Sequence, residues 1–292
     1  MIRYRQMMIV SSVAAASLLS VVSAQAGLYS AAVLSDVPVA YWRMGDADGS
    51  AVADASGNGH VGASDGPSVT FGGASLVPAE IGNGSVSLAG MDRIMVPGFE
   101  KIGPGGYTAE YWVKVTAYPT ACCDNLVGDG ESGGDFFMMN YLIGPGQGTT
   151  GVVRPHFGTT NAPVSLTGTA VLALDEVYHV VTTWDPTDPN NGNGKIYVNG
   201  VLTSSANVSG NVPAPGSAGD NMIFIGRDGR ENRPSNFMID EVAMYNYALT
   251  AEQIASHYEI GINPIPEPGT MTLAVLGLLG LGAMLRRRRS RG

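Results

Sequence analysis

The stretch DASGNGHVG sets three oxygen-bearing side chains, Asp54, Ser56 and Asn58, at alternate positions among glycines. Hard cations such as Ca2+ take such oxygens together with backbone carbonyls. The competing reading is that Asp54 and Asn58 satisfy backbone amides in tight turns. Glycoside hydrolysis would need two carboxylates reaching one cleft. The nearest acidic pairs, Asp175-Glu176 and Asp240-Glu241, are consecutive, and neighbours on a strand point to opposite faces. His60, His156, His179 and His257 lie near no G-x-S-x-G or Cys-His arrangement, so no catalytic residue is expected. His179 alternates with Val181 and Thr183, as a packed or hydrogen-bonded sheet histidine would. Sugar recognition favours exposed aromatics beside hydrogen-bonding groups. Trp112, on the strand face shared by Thr108, Glu110 and Lys114, is the candidate for that role. A core position is the alternative for it, as for Trp42 and Trp184.

Two segments frame these residues. Residues 1–26 begin with Arg3 and Arg5, continue through an apolar middle and close on Ala24-Gln25-Ala26, which is the pattern of a secretory signal peptide. At the other end, Thr270 to Leu285 is an apolar run of 16 residues. As an α-helix it would span about 24 Å against a hydrocarbon core of about 30 Å, a marginal membrane crossing. Arg286, Arg287, Arg288, Arg289 and Arg291 would hold its end in the cytoplasm and leave everything upstream outside.

Of the 16 basic residues, two fall in the signal segment and five after Pro268, while none of the 25 acidic residues does. The region between keeps 9 basic against 25 acidic residues, a net charge of −16. Such a chain is not expected to bind nucleic acid, where Lys and Arg must displace counterions from phosphate. It would also repel an anionic polysaccharide unless a divalent cation lay between them. Cys122 and Cys123 are adjacent and cannot close an ordinary loop; a vicinal disulfide, an intermolecular link and a free pair are all open.

The elements that must position these groups read as strands. VAYWRM, YTAEYWVKV, DFFMMNYLI, VYHVVTTW, NMIFIG and FMIDEVAMY are rich in β-branched and aromatic residues, and turn residues separate them. YTAEYWVKV alternates as a half-buried strand does. Asn199-Gly200 between apolar runs asks for a type I′ hairpin. LTAEQIASHY predicts one helix, with Thr250 and Gln253 forming a capping box and Ile254 and Tyr258 on one face. No long linker or fixed-period repeat divides the middle, so it reads as one domain, residues 27–261, followed by a tail over 262–292.

Two resemblances build on these segments. VAYWRMGDADGSAVADASGNGHVG, IGNGSVSLAG, YTAEYWVKV, YHVVTTWD, GKIYVNGVL and FMIDEVAMYNYALTAEQIASHY follow one another in the order of the LamG-like domain, a concanavalin A-like jelly roll. The resemblance implies an all-β fold of two antiparallel sheets packed as a sandwich, with one short C-terminal helix. It also implies Ca2+ at the sandwich edge, which would add Asp240 to Asp54 and Asn58 as metal candidates. Pro266-Glu267-Pro268, the apolar run and the arginines together resemble the PEP-CTERM sorting signal of Gram-negative bacteria. That resemblance implies a transient inner-membrane anchor, processing by exosortase, and display at the cell surface or in the extracellular matrix. The expected function is a non-catalytic module that holds extracellular polysaccharide, with a purely structural matrix protein as the alternative and a polysaccharide-cleaving enzyme a distant third.

Overall fold

The computed structural model describes residues 27–263, except for 47–48, 50, 100–104, 130–137, 158–163, 189–191, 209–221 and 229–233. The signal segment and Pro266-Glu267-Pro268 with the apolar tail lie outside the described residues.

Two antiparallel sheets pack face to face. The larger runs in the order β13 (Val201–Ala206), β12 (Gly194–Val198), β11 (Val177–Trp184), β6 (Tyr107–Val115), β15 (Ser235–Tyr245), β4 (Gly84–Gly90) and β3 (Thr70–Ala74), with β1 (Ala40–Trp42) also paired to β15. The smaller runs β10 (Val164–Ser165), β9 (Val153–Phe157), β8 (Met138–Ile143), β7 (Cys123–Gly128), β14 (Met222–Gly226), β5 (Arg93–Pro97) and β2 (Ala63–Asp65). Side chains alternate across a strand, so one set from each sheet meets in the middle. Ala109, Tyr111 and Val113 of β6 meet Leu142, Val153 and Ile225 of the other sheet in a single apolar cluster.

Two turns follow from local chemistry. Asn199 and Gly200 take φ of 52° and 75°, the left-handed pair that a type I′ hairpin between β12 and β13 requires. The hydroxyl of Thr250 accepts from the Gln253 amide and the Gln253 side chain accepts from the Thr250 amide, which starts α2 (Ala251–Ile262) with the expected capping box.

The outer face of the larger sheet is covered too. α1 (Leu28–Ser35), which sequence analysis did not identify, packs with α2 on that face, and Tyr29, Val33 and Ile254 join Trp112, Val181 and Tyr245 in a second apolar cluster. β6 is therefore buried on both faces along almost its whole length, not half-buried as its alternation suggested. Cys122 and Cys123 are joined as a vicinal disulfide at the start of β7.

Candidate functional site

On the helix-covered face, β6 and β11 run antiparallel with His179 opposite Trp112 and Val181 opposite Glu110. Glu110 is buried there and accepts hydrogen bonds from the hydroxyls of Tyr29 and Tyr245 at 2.9 and 3.0 Å. His179 Nε2 lies 2.8 Å from the same carboxylate, and His257 Nδ1, from α2, lies 3.0 Å away. His257 Nε2 faces Asp36 at 3.1 Å. Burial alone would raise the Glu110 carboxyl, but His257 and His179 hold it well below the usual range. Burial lowers His257, and Glu110 with Asp36 more than offsets this and raises it. Nothing in the sequence placed these residues together. Glu110 and His257 lie 147 positions apart and meet because α2 folds back over β6.

A second polar cluster adjoins the first. Asp240 and Glu241 were expected on opposite faces of their strand. Instead the register shifts between Asp240 and Ala243, and Glu241 takes φ 51°, so both carboxylates turn to one side. Asn83 Nδ2 reaches both, at 3.1 and 2.7 Å. Arg43 bridges Glu241 to Glu80, and Tyr41 donates its hydroxyl to Glu241. Burial, and for Glu241 also the neighbouring Asp240, raises both carboxyls of the pair. Consecutive residues of α1 reach the two clusters: Tyr29 donates to Glu110, and the Ser30 amide donates to Glu80.

These contacts decide several sequence expectations. Trp112 is only 2% exposed. Its ring stacks on Tyr258 at 6.0 Å and lies against His179 at 5.0 Å, with the Tyr29 ring edge-on to it. It offers no face to a sugar, so its expected stacking role is corrected: the side of β6 that carries it is roofed by helices. Among the described residues no Trp, Tyr or Phe is exposed.

The proposed cation ligands do not form one set. Asp54 accepts from the amides of Tyr41, Ser56 and His60 and from the Ser56 hydroxyl, all within 3.0 Å. Asn58 Nδ2 donates to the Val39 carbonyl, so the pair fastens the loop to β1. Asp240 instead accepts from Ser75, Leu76 and Asn83 in the buried cluster. The carboxylate oxygens of Asp54 and Asp240 satisfy separate sets of turn and loop donors, and Asn58 acts as a donor, so the three residues do not form a shared calcium cage. Among the described residues no group of three or more His, Cys, Asp or Glu side chains is placed to hold a metal.

The outer face of the smaller sheet is arranged differently. Arg154 of β9 lies opposite Tyr141 of β8, and Tyr141 opposite Asn125 of β7. Asn125 Nδ2 donates to the carbonyl of Gly226, which lies opposite Arg93 of β5, itself opposite Asp65 of β2. Five inter-strand steps separate Arg154 from Asp65, roughly 24 Å; Tyr141 and Asn125 between them are buried, so only the ends of the row are open. Arg93 donates from Nε to Asp65 at 2.7 Å and sits 5.0 Å over the Phe224 ring. Arg227 approaches the same carboxylate at 3.6 Å. His156 stands edge-on to Tyr141 at 5.0 Å. Both arginines are partly open, with 16% and 15% of their side chains accessible.

Residues 88–255, more than half of the chain, match the family described as the concanavalin A-like lectin/glucanases superfamily. The chain belongs to that superfamily. Residues 264–289 match the PEP-CTERM protein-sorting motif, so this superfamily domain carries a sorting signal for export in Gram-negative bacteria. No curated protein matches the chain in sequence. Among solved structures, it is similar to domain 4 of AbnA, an extracellular arabinanase of Geobacillus stearothermophilus solved in complex with arabinotriose, at 19% identity and a TM-score of 0.56. That match covers 76% of this chain and 98% of the other. The Trypanosoma rangeli sialidase matches at 16% and 0.51, over 77% of this chain and 33% of the sialidase. A structure of botulinum neurotoxin type C, whose cell entry depends on interaction with two ganglioside molecules, matches at 12% and 0.57, over 79% of this chain and 52% of the other. At these identities the likeness establishes the fold: a concanavalin A-like sandwich, an architecture the superfamily shares between lectins and glucanases.

Proposed function

We propose that this chain is an exported, non-catalytic module that binds polysaccharide outside the cell along the outer face of the smaller sheet. The observation that carries this is the row from Arg154 to Asp65, whose partly open ends hold its arginines while Tyr141 and Asn125 between them are buried. It gathers three of the nine basic residues of the mature region, Arg93, Arg154 and Arg227, on one face of a strongly acidic domain. Guanidinium groups beside a carboxylate offer donors and an acceptor together, and they suit sugar hydroxyls or the carboxylate of an acidic sugar. Similarity to sugar-associated domains supports the reading at the level of fold. The PEP-CTERM tail supports release by exosortase to the surface or matrix.

A non-catalytic role fits the placement of the paired carboxylates, because Asp240 and Glu241 are both 0% exposed beneath the loop carrying Ser75 and Asn83. The absence of an exposed aromatic among the described residues favours the alternative, a structural matrix protein without a dedicated ligand. The two separate on a glycan array combined with affinity gels cast with neutral and acidic polysaccharides. Retardation by at least one polymer supports the binding module. No retardation across the panel leaves the structural reading, and released reducing sugar would establish an enzyme.

A further inference from the structure

α1, Leu-Tyr-Ser-Ala-Ala-Val-Leu-Ser, contains no charged residue. Tyr29, Ser30 and Val33 face the sheet, which leaves Leu28, Ala31 and Leu34 on the side turned away from the domain. A helix that is apolar all round is ordinarily covered on both sides. The neighbourhood continues the pattern. Leu28, Leu34 and Val37 on or just after α1, Ile81 in the adjoining loop, and Leu202 beside α2 make up five of the eleven exposed large apolar side chains among the described residues. Contacts place them on one side. The loop carrying Ile81 bonds to α1 through Glu80 and Ser30 and to α2 through the Ala79 amide and the Gly261 carbonyl. Leu202 lies opposite Tyr197, which belongs to the cluster under the helices, and the turn at Gly200 packs on Tyr258.

Both ends of the domain leave from this side. Leu28 and Asn263 line one shallow groove between the helices. Only residues 264–269 separate Asn263 from the apolar run at Thr270, a reach of at most about 20 Å. At the other end, Gly27 alone separates the signal segment from α1.

We propose that the helix-covered side is a membrane-facing surface: while the tail is in place, α1 and Leu202 of the β12–β13 hairpin lie against the bilayer and the polar row of the smaller sheet points away from it. The occupant is the lipid surface and not a second copy of the chain, because the apolar patch surrounds the point where the apolar tail leaves. The acidic domain makes neutral headgroups the better partner, since anionic lipid would repel it. The proposal rests on membrane insertion of the tail, and the experiment reads the two separately.

The full chain with its tail retained is reconstituted in phosphatidylcholine nanodiscs. Because Cys122 and Cys123 are joined to each other, a single introduced cysteine can carry a fluorophore. Leu34→Cys and Leu202→Cys probe the helix-covered side, and Ser165→Cys, exposed on β10, probes the opposite sheet. Co-migration with the nanodisc reports tail insertion, and quenching by spin-labelled headgroups reports orientation. Quenching several-fold stronger at positions 34 and 202 than at 165 is the expected result. Equal quenching at all three positions with the chain inserted overturns the orientation alone. Failure to co-migrate overturns tail insertion and the proposal with it. Protection of position 34 by dimerisation without lipid assigns the patch to a second copy instead.

Discussion

His257 brings Nδ1 to within 3.0 and 3.1 Å of the two carboxylate oxygens of Glu110, joining the last helix of the domain to the middle of its larger sheet. Tyr29 donates to the same carboxylate, so the first helix is fastened at that point as well. A single buried group thus holds both helical covers.

This arrangement predicts how stability depends on pH. The folded pKa of His257 is raised, so its contribution is complete below the ordinary histidine value of about 6.5 and is lost as pH climbs through the raised value. The raised carboxyls of Asp240 and Glu241 act in the same direction, losing stability as pH rises from the ordinary carboxylate range through their folded values. Glu110 is depressed and acts oppositely: its contribution is complete above about 4.3 and is lost as pH falls toward the depressed value. The melting temperature should therefore be highest near the ordinary carboxylate range, about pH 4, and decline from there toward pH 9. In His257→Asn the alkaline decline should be shallower, and a melting series with identical slopes in both proteins would contradict the assignment.

Trp112 is predicted to matter for stability and not for ligand. Trp112→Ala should cost about 3–5 kcal/mol in denaturant unfolding, the usual range for emptying a buried indole site. Trp112→Phe should lose less, and affinity-gel retardation of the folded Phe variant should equal that of wild type. Selective loss of retardation would restore Trp112 as a sugar contact.

The arginine row should behave in the opposite way. Arg93→Gln with Arg227→Gln removes a mostly buried ion-pair group and the Arg93 contact over Phe224, so a modest fall in melting temperature is expected with the fold retained. Retardation by polysaccharide should fall sharply, and wild-type retardation by acidic polymers should weaken as salt rises. Undiminished binding by the double variant would place the ligand elsewhere.

Calcium gives a further check. Since Asp54 already accepts four hydrogen bonds and Asp240 lies in a separate buried cluster, excess Ca2+ and chelator should give the same melting temperature. A ligand that binds only the folded state must raise it, so a clear upward shift would reinstate a metal site.

The strands and the helix caps were legible because their signals are local. Asn199-Gly200 needs only two residues to define a turn, and Thr250 reaches Gln253 within one turn of helix. The second burial of β6 was not legible. Its alternation separates two faces but cannot state that a helix from residues 28–35 will cover the outer one. Asp240 and Glu241 defeated the period-two rule because a register shift and one left-handed residue turned both carboxylates the same way. Trp112 and Asp54 were chosen by residue type, and their partners decide what they do: rings on the first, backbone amides on the second. Arg93 and Arg154 gave no sequence signal, since strand order alone sets them in one row.

β1 finds its partner at the far end of the chain, with Ala40 opposite Met244. A polypeptide threaded through a translocation channel N-terminus first would deliver β1 about 200 residues ahead of the strand that completes it, a separation that slows folding. Its early half must wait, unclosed, until β15 and α2 emerge. The apolar tail follows only a few residues later, so closure of the sandwich and arrival of the sorting signal become nearly simultaneous events.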